Sequence, residues 1–357
     1  MSEDQRKPRR SSGALKRQRE RLPWSGDRDF RILSIDGGGI RGVYPAVLLA
    51  GLEQRYLDGQ PLARYFDLIT GTSTGGIIAL GLGAGLRAED ISRLYVERGD
   101  EIFPPARDGA LRFVQHAGKW VTHLFRYRYD RAALDALLLE ALGERKFGES
   151  LTRLCIPSFD GHHGEVYIFK TPHHPDFKLD GVENMTKVAA ATAAAPTFFR
   201  PLEDGGYAFV DGGVWANNPV MIGVVDALSC FDVTRHRISV LSLGCGTKSC
   251  RLNRAQMMGG GLLAWRGIIE TAMSLQSQNA LGQAGLLLGA ERLMRLDAPM
   301  AGRSIELDDW KRSVAELVPA AEQMLEEQGY AVAEMFLSAP TEAYRPQGML
   351  AALAVGA

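Results

Sequence analysis

The sequence predicts an α/β fold: a three-layer α/β/α arrangement around a mainly parallel sheet, followed by a helical C-terminal part. Two observations carry that expectation. Residues 30–35 form a short apolar strand-like run that ends in the glycine-rich turn 36–42 and opens onto the helix-competent stretch 45–56. The same order then repeats, with 65–70 as strand, 71–75 as tight turn and 76–85 as a helix of small residues. Consecutive strand–turn–helix units build a parallel sheet covered by helices.

The remaining elements follow in order. Residues 86–131 read as helical and then mixed, broken by Phe103-Pro104-Pro105, which suits an insertion or a lid. Strands return at 154–159 and 166–170, where β-branched and aromatic residues alternate with polar ones. Residues 187–195 predict a helix with almost no side chains, closed by Pro196, and such a helix packs very near its neighbour. A strand at 208–210 leads to Asp211, and another at 237–243 runs into the turn 244–246. From residue 251 the pattern is mostly helical; 262–288 and 314–324 carry the apolar spacing of buried amphipathic helices. A layer that covers the core is the plain reading of this part, with a lid, a ligand-sensing surface or a dimer contact as alternatives.

With 357 residues and 46% hydrophobic residues, the chain can bury a large core, and with no repeat or linker in view it reads as one catalytic domain over 29–357. A net charge of -1 gives no general affinity for nucleic acid. Positive charge concentrates in residues 1–28, where Arg6, Lys7, Arg9, Arg10, Lys16, Arg17, Arg19 and Arg21 outnumber the acids. That arm, poor in apolar residues, is expected to be disordered, as a solvated tail or as a tether to anionic lipid. Cys155, Cys230, Cys245 and Cys250 lack metal-site spacing and suit a reducing cytoplasm. No apolar run reaches the roughly 18 to 20 residues a bilayer demands, so any membrane contact is expected to be peripheral.

The chemistry concentrates in three turns. Gly71-Thr72-Ser73-Thr74-Gly75 fits GxSxG, the elbow in which a strained strand-to-helix turn lifts a serine hydroxyl clear of the surface. The pentapeptide alone is weak, but the strand before it and the helix after it supply the setting it requires, and Gly71 and Gly75 allow close backbone packing. A structural turn is the bland alternative. Serine attacks only when a neighbour takes its proton. None of His116, His123, His162, His163, His173, His174 and His236 is placed convincingly as that base, and each reads as a surface residue. Asp211 is the better partner: it ends a strand and precedes Gly212 and Gly213, which fixes its direction, with an ordinary Asx turn as the bland reading.

The first turn, Asp36-Gly37-Gly38-Gly39-Ile40-Arg41-Gly42, sets unhindered amides at a helix N-terminus. Those of Gly37, Gly38 and Gly39 suit an oxyanion, with the charge of Arg41 beside them. Gly37, Gly39 and Gly42 also satisfy GxGxxG, the dinucleotide fingerprint. Against that reading, Asp36 would repel a pyrophosphate, and no strand ending in an acidic ribose ligand follows about twenty residues on.

Taken together, DGGGxRG at 36–42, GTSTGG at 71–76 and DGG at 211–213 resemble the patatin-like phospholipase family. The likeness runs from about Arg31 to about Asp297 and includes Ala195-Pro196, Phe198-Phe199 and Asn217-Asn218-Pro219. The resemblance implies a Ser73–Asp211 dyad, an oxyanion hole at Gly37, Gly38, Gly39 and Arg41, and neither metal nor cofactor. It implies hydrolysis of acyl esters of phospholipids at membrane surfaces. Within the family, the chain is similar to phospholipase effectors of anti-phage systems that a cyclic dinucleotide switches on. The partners so implied are a phospholipid membrane surface and a cyclic dinucleotide; a homodimer is a further option, through the dimer contact that the C-terminal part could supply. Constitutive lipid esterase activity, and a non-catalytic lipid or nucleotide binder, stand as alternatives.

Overall fold

The computed structural model describes residues 19–104, 127–246, 268–299 and 305–347. Its centre is an eight-stranded sheet. The strands are β1 (Phe30–Ile35), β2 (Leu68–Gly71), β3 (Arg153–Asp160), β4 (Glu165–Lys170), β5 (Leu202–Asp204), β6 (Tyr207–Asp211), β7 (Ile238–Leu243) and β8 (Leu293–Leu296). They lie in the order β5-β6-β3-β2-β1-β7-β8, with β4 pairing β3 off this path. The run β3-β2-β1-β7-β8 is parallel, and the hairpin-connected strands β4, β6 and β5 add antiparallel pairs at one side. The sheet is thus mixed, with a parallel core, in keeping with the expected α/β class.

The parallel strands are apolar on both faces because helices cover both. Side chains alternate across the sheet. In β1, Phe30 and Ile32 enter one core cluster while Leu33 and Ile35 enter the other; in β7, Ile238 and Val240 part from Leu241 and Leu243 in the same way. One layer holds α1 (Val43–Tyr56), α2 (Thr74–Gly83), α3 (Ala88–Ile102), α4 (Arg131–Leu142) and α5 (Met185–Thr192). The short α6 (Gly213–Ala216) follows β6 directly. α7 (Val220–Cys230) and α8 (Ile268–Leu288) contribute to the other core cluster. α9 (Trp310–Phe336) runs along α1, burying Ser313, Leu317, Ala321, Leu325, Gly329, Val332 and Phe336 at near-helical spacing.

Four expectations are revised. Residues 19–28 of the basic arm pack on the domain: Leu22 pairs with Phe231 in a parallel bridge, and Trp24 packs on Phe30 at 4.6 Å between ring centroids. The two aromatic partners supply burial that the arm's own composition does not show; residues 1–18 lie outside the described residues. The strand expected at 65–70 begins only at Leu68, because residues 62–65 form a 3-10 turn with Leu62, Ala63 and Tyr65 buried. α3 is a wall of the core, packed on α1 and α2, while 105–126 lie outside the described residues. The C-terminal part is not all helix: β8 completes the parallel sheet beside β7. No helix among the described residues is long and apolar enough to cross a membrane.

Candidate active site

β2 delivers the chain to Ser73, and α2 leaves from it one residue later. Ser73 has φ 54° and ψ -119°, a backbone state that costs a side-chain-bearing residue of order 1–3 kcal/mol. The surroundings hold it there. The Ser73 N–H donates to Thr192 Oγ1 (3.0 Å), whose own hydroxyl donates to Pro157 O (2.6 Å), and the Thr72 hydroxyl donates to Ala216 O (2.6 Å). Glycine is obligatory on either side: a Cβ on Gly71 would stand 2.1 Å from Gly75 O, and one on Gly75 would stand 2.3 Å from Ile35 O.

Asp211 closes β6, which pairs antiparallel with β3 so that Asp211 stands opposite Ser158. This topology carries Asp211 to the end of β3, beside β2 and its elbow, where the Ser73 side chain lies close enough to the carboxyl to favour its charged form. Gly213 N–H donates to its Oδ1 at 2.7 Å. Burial raises the Asp211 carboxyl from 3.8 to about 6, against the opposing pull of the Ser73 and Gly213 hydrogen bonds. The group is ionised at neutral pH, yet a stronger base than an exposed aspartate.

The glycine turn borders the same pocket as Asp211. Gly38 and Gly39 line the cavity, and their N–H groups have no acceptor among the described residues. Gly39 has φ +57°, and a side chain there would meet Leu307 O at 2.4 Å. Gly37 and Arg41, expected beside them as oxyanion donors, are turned elsewhere. Gly37 N–H donates to Asn217 O (2.9 Å) and Arg41 N–H to Gly38 O (3.2 Å), while the Arg41 guanidinium donates to Gly38 O and Gly246 O. Both therefore brace the turn. Thr74, also at the pocket, opens α2, where the first-turn N–H groups of a helix have no intrahelical partner.

Asp36 was legible only as the first residue of its motif; its role is a brace. It is buried and forms a two-pronged pair with Arg295 of β8, Nη1 to Oδ1 at 3.0 Å and Nη2 to Oδ2 at 2.8 Å. Arg295 also donates to Ser242 Oγ (2.9 Å) and Asp297 Oδ2 (2.8 Å). Burial still holds the Asp36 carboxyl up at about 6, with Arg295 opposing the shift.

Two histidines expected at the surface are buried. His173 lies under α7 with Nε2 2.7 Å from Asp226 Oδ2, and His174 Nε2 is 2.9 Å from Glu20 O of the arm. Lys170 completes this cluster at 2.5 Å from Asp226, and together with His173 it holds the Asp226 carboxyl far below the carboxylate range, whereas burial pushes His173 down. Cys155, His173 and Asp226 stand within metal-ligating reach of one another, but the Lys170 ammonium already supplies positive charge to Asp226. His163 pairs with Asp160, His236 is exposed, and none of these groups reaches Ser73. His116, His123 and Cys250 lie outside the described residues.

Behind Ser73 opens a cavity of about 360 Å³ walled by α2, α3 and α4, in which Asp211 is the one charged lining residue among those described. Away from Ser73, Asp211 and the glycine turn, the lining offers a polar occupant few partners for the water it would lose, so this part of the space suits hydrocarbon. The molecule is, in class, a lipid hydrolase of α/β/α architecture.

Its lineage is shown by comparison. The chain belongs to the patatin-like phospholipase family, whose model matches residues 33–224. It is 34% identical over 252 residues to a cGAMP-activated phospholipase of Pseudomonas aeruginosa, covering 70% of this chain and 73% of that protein. A protein of the same description from Escherichia coli is 36% identical over 226 residues, 60% of this chain and 61% of the other, so less than two thirds of that relative is spanned. VipD from Legionella pneumophila aligns over 88% of this chain and 71% of its own, at 13% identity and a TM-score of 0.40.

Proposed function

We propose that the chain is a phospholipase that removes fatty acyl groups from membrane phospholipids through a Ser73–Asp211 dyad, under the control of a cyclic dinucleotide. The observation that carries the catalytic part is that a serine on a strained elbow and a buried carboxyl, close enough for the serine side chain to favour the carboxylate, line one largely apolar cavity.

The steps follow from that geometry. Ser73 Oγ attacks the ester carbonyl carbon while its proton passes to Asp211. The oxygen that gains charge is received by the N–H groups of Gly38 and Gly39; losing one such donor costs about 3–4 kcal/mol in hydrolases of this type. Collapse breaks the ester bond, and Asp211 returns the proton to the departing glycerol oxygen. Water, deprotonated by Asp211, then attacks the acyl-serine and releases a fatty acid. Arg41 and Gly37 hold the turn in place and touch no reacting atom.

Support for nucleotide control comes from the relatives described as cGAMP-activated phospholipases. An effector that responds to such a signal in anti-phage defence works at the cytoplasmic face of the inner membrane, where the basic residues of the arm meet anionic lipid. Lipid mass spectrometry tests both parts. Liposomes treated with wild-type protein and a panel of cyclic dinucleotides are expected to yield free fatty acid and lysophospholipid, and Ser73→Ala none. Full activity without any nucleotide would remove the regulatory half; undiminished activity in Ser73→Ala would remove the dyad.

A further inference from the structure

The direction of the cavity behind Ser73 is fixed by three helices. α2 begins at the elbow and lines the cavity with Ile77 and then Gly81, two turns away from the serine. α3 runs the opposite way: Ile91 lies against Gly81, where an added Cβ would stand 2.8 Å from its Cδ1, whereas Tyr95 bonds Thr74 beside the elbow (2.6 Å). α4 runs with α2. Arg131 at its start reaches Ala190 O of α5 (2.7 Å), and the chain beyond its end returns to α2, where Leu151 N–H donates to Gly83 O (2.8 Å). Gly81, Leu86, Ile91 and Leu142 therefore stand together at the end farthest from Ser73.

We infer that this cavity takes one unbranched acyl chain laid along α2, carboxyl end at Ser73, and that these four residues set how much of the chain gains from burial. The inference rests on the reading of Ser73 as the acyl acceptor. Eight residues of helix separate Ser73 from Gly81, a rise of about 12 Å. Carbon–carbon bonds of about 1.5 Å meeting at about 111° advance a chain ~1.25 Å per carbon, so about ten carbons fill that reach. Ala141, half-buried one position before Leu142, lines the same end and leaves room for a larger side chain to fill it.

The test uses the full chain, wild type, Ala141→Phe and Ile91→Ala, each first checked for a single cooperative melting transition above the assay temperature; Ile91→Ala, which truncates a buried side chain, is expected to melt lower than wild type. Hydrolysis of p-nitrophenyl esters from butyrate to palmitate is measured with and without cyclic dinucleotides. Binding of the matching free fatty acids to Ser73→Ala versions is measured by displacement of a fluorescent fatty acid. Affinity and kcat/KM are expected to climb about fourfold per methylene and then level off near ten carbons. Ala141→Phe moves the break to shorter chains and Ile91→Ala to longer ones. A break at one length in all three proteins, or an unbroken climb to palmitate, overturns the inference. A break in binding that shifts with the variants, in a protein that hydrolyses no ester, upholds the cavity assignment and refutes Ser73 as acyl acceptor.

Discussion

Replacing Asp211 by asparagine is expected to abolish hydrolysis and, at the same time, to stabilise the fold. The carboxyl is fully buried and its pKa is raised from 3.8 to about 6 by loss of water. The native state thus holds its proton across an interval of about two pH units in which the unfolded chain has released it. Each unit is worth 1.36 kcal/mol, so the wild type loses ~3 kcal/mol of stability as pH climbs from about 4 to about 6, and no more above that. Asparagine has nearly the same shape and carries no charge. Its Oδ1 can still accept from Gly213 N–H, and its amide can donate to the Ser73 hydroxyl. Urea unfolding at pH 4.5, 6 and 8 checks the claim: the two proteins should lie within ~1 kcal/mol of each other at the lowest pH and separate by ~3 kcal/mol at the highest, the variant being the more stable. A variant less stable than wild type at pH 8, or a gap independent of pH, would refute the assignment of Asp211 as a desolvated carboxylate.

The same pKa sets the acid limb of catalysis: the general base acts only when ionised, so kcat/KM should fall tenfold per pH unit below about 6 and be flat just above it, read from an ester assay over pH 4.5–8. Arg295→Met leaves Asp36 buried without its partner, which costs about 3–5 kcal/mol less whatever Asp36 recovers by binding a proton. The loss should show as a lower denaturant midpoint and a lower kcat, with Arg295→Lys between the two because it keeps charge without the two-pronged geometry. Lys170→Met should cost a similar ~3–5 kcal/mol, and it should raise the pKa of His173, which then faces Asp226 without a competing cation; NMR titration of the imidazole reads the shift.

Ser73, Asp211 and the glycine turn were legible because their chemistry is local. A residue with φ 54° between two glycines that admit no Cβ, and a carboxylate followed by two glycines, leave their marks within five consecutive positions. What escaped is whatever depends on pairing across the chain. Nothing in Leu293–Leu296 separates a fourth-neighbour parallel strand from the end of a helical region, and so the two-pronged partner of Asp36 went unseen. Thr192, which accepts from the Ser73 N–H, sits among alanines whose only signal is small size. His173 and His174 were read as surface residues since a polar loop ordinarily faces water; here Asp226, Lys170 and Glu20 supply the buried partners. Arg41 was read as a charge for the oxyanion, whereas its guanidinium is spent on carbonyls of its own turn and of Gly246.

The site concentrates unfavourable states in a small volume: a strained serine and two carboxyls, Asp36 and Asp211, that burial holds near 6. Each persists only because neighbouring structure over-determines it. Several of those neighbours lie beyond residue 224, where the family match ends. Arg295 grips Asp36, Leu307 O accepts from Ile40 N–H at 2.9 Å, Gln276 of α8 clasps Asn218 at both backbone groups, and Trp310 of α9 donates to Tyr95 O at 3.1 Å. The stretch that matches the family model therefore holds the residues proposed to react, while the part that follows opposes their tendency to relax. On that division, substitutions in β8 or at the start of α9 should alter kcat at Ser73 without touching it, because the elbow and the glycine turn keep their geometry only while both layers stay closed on them.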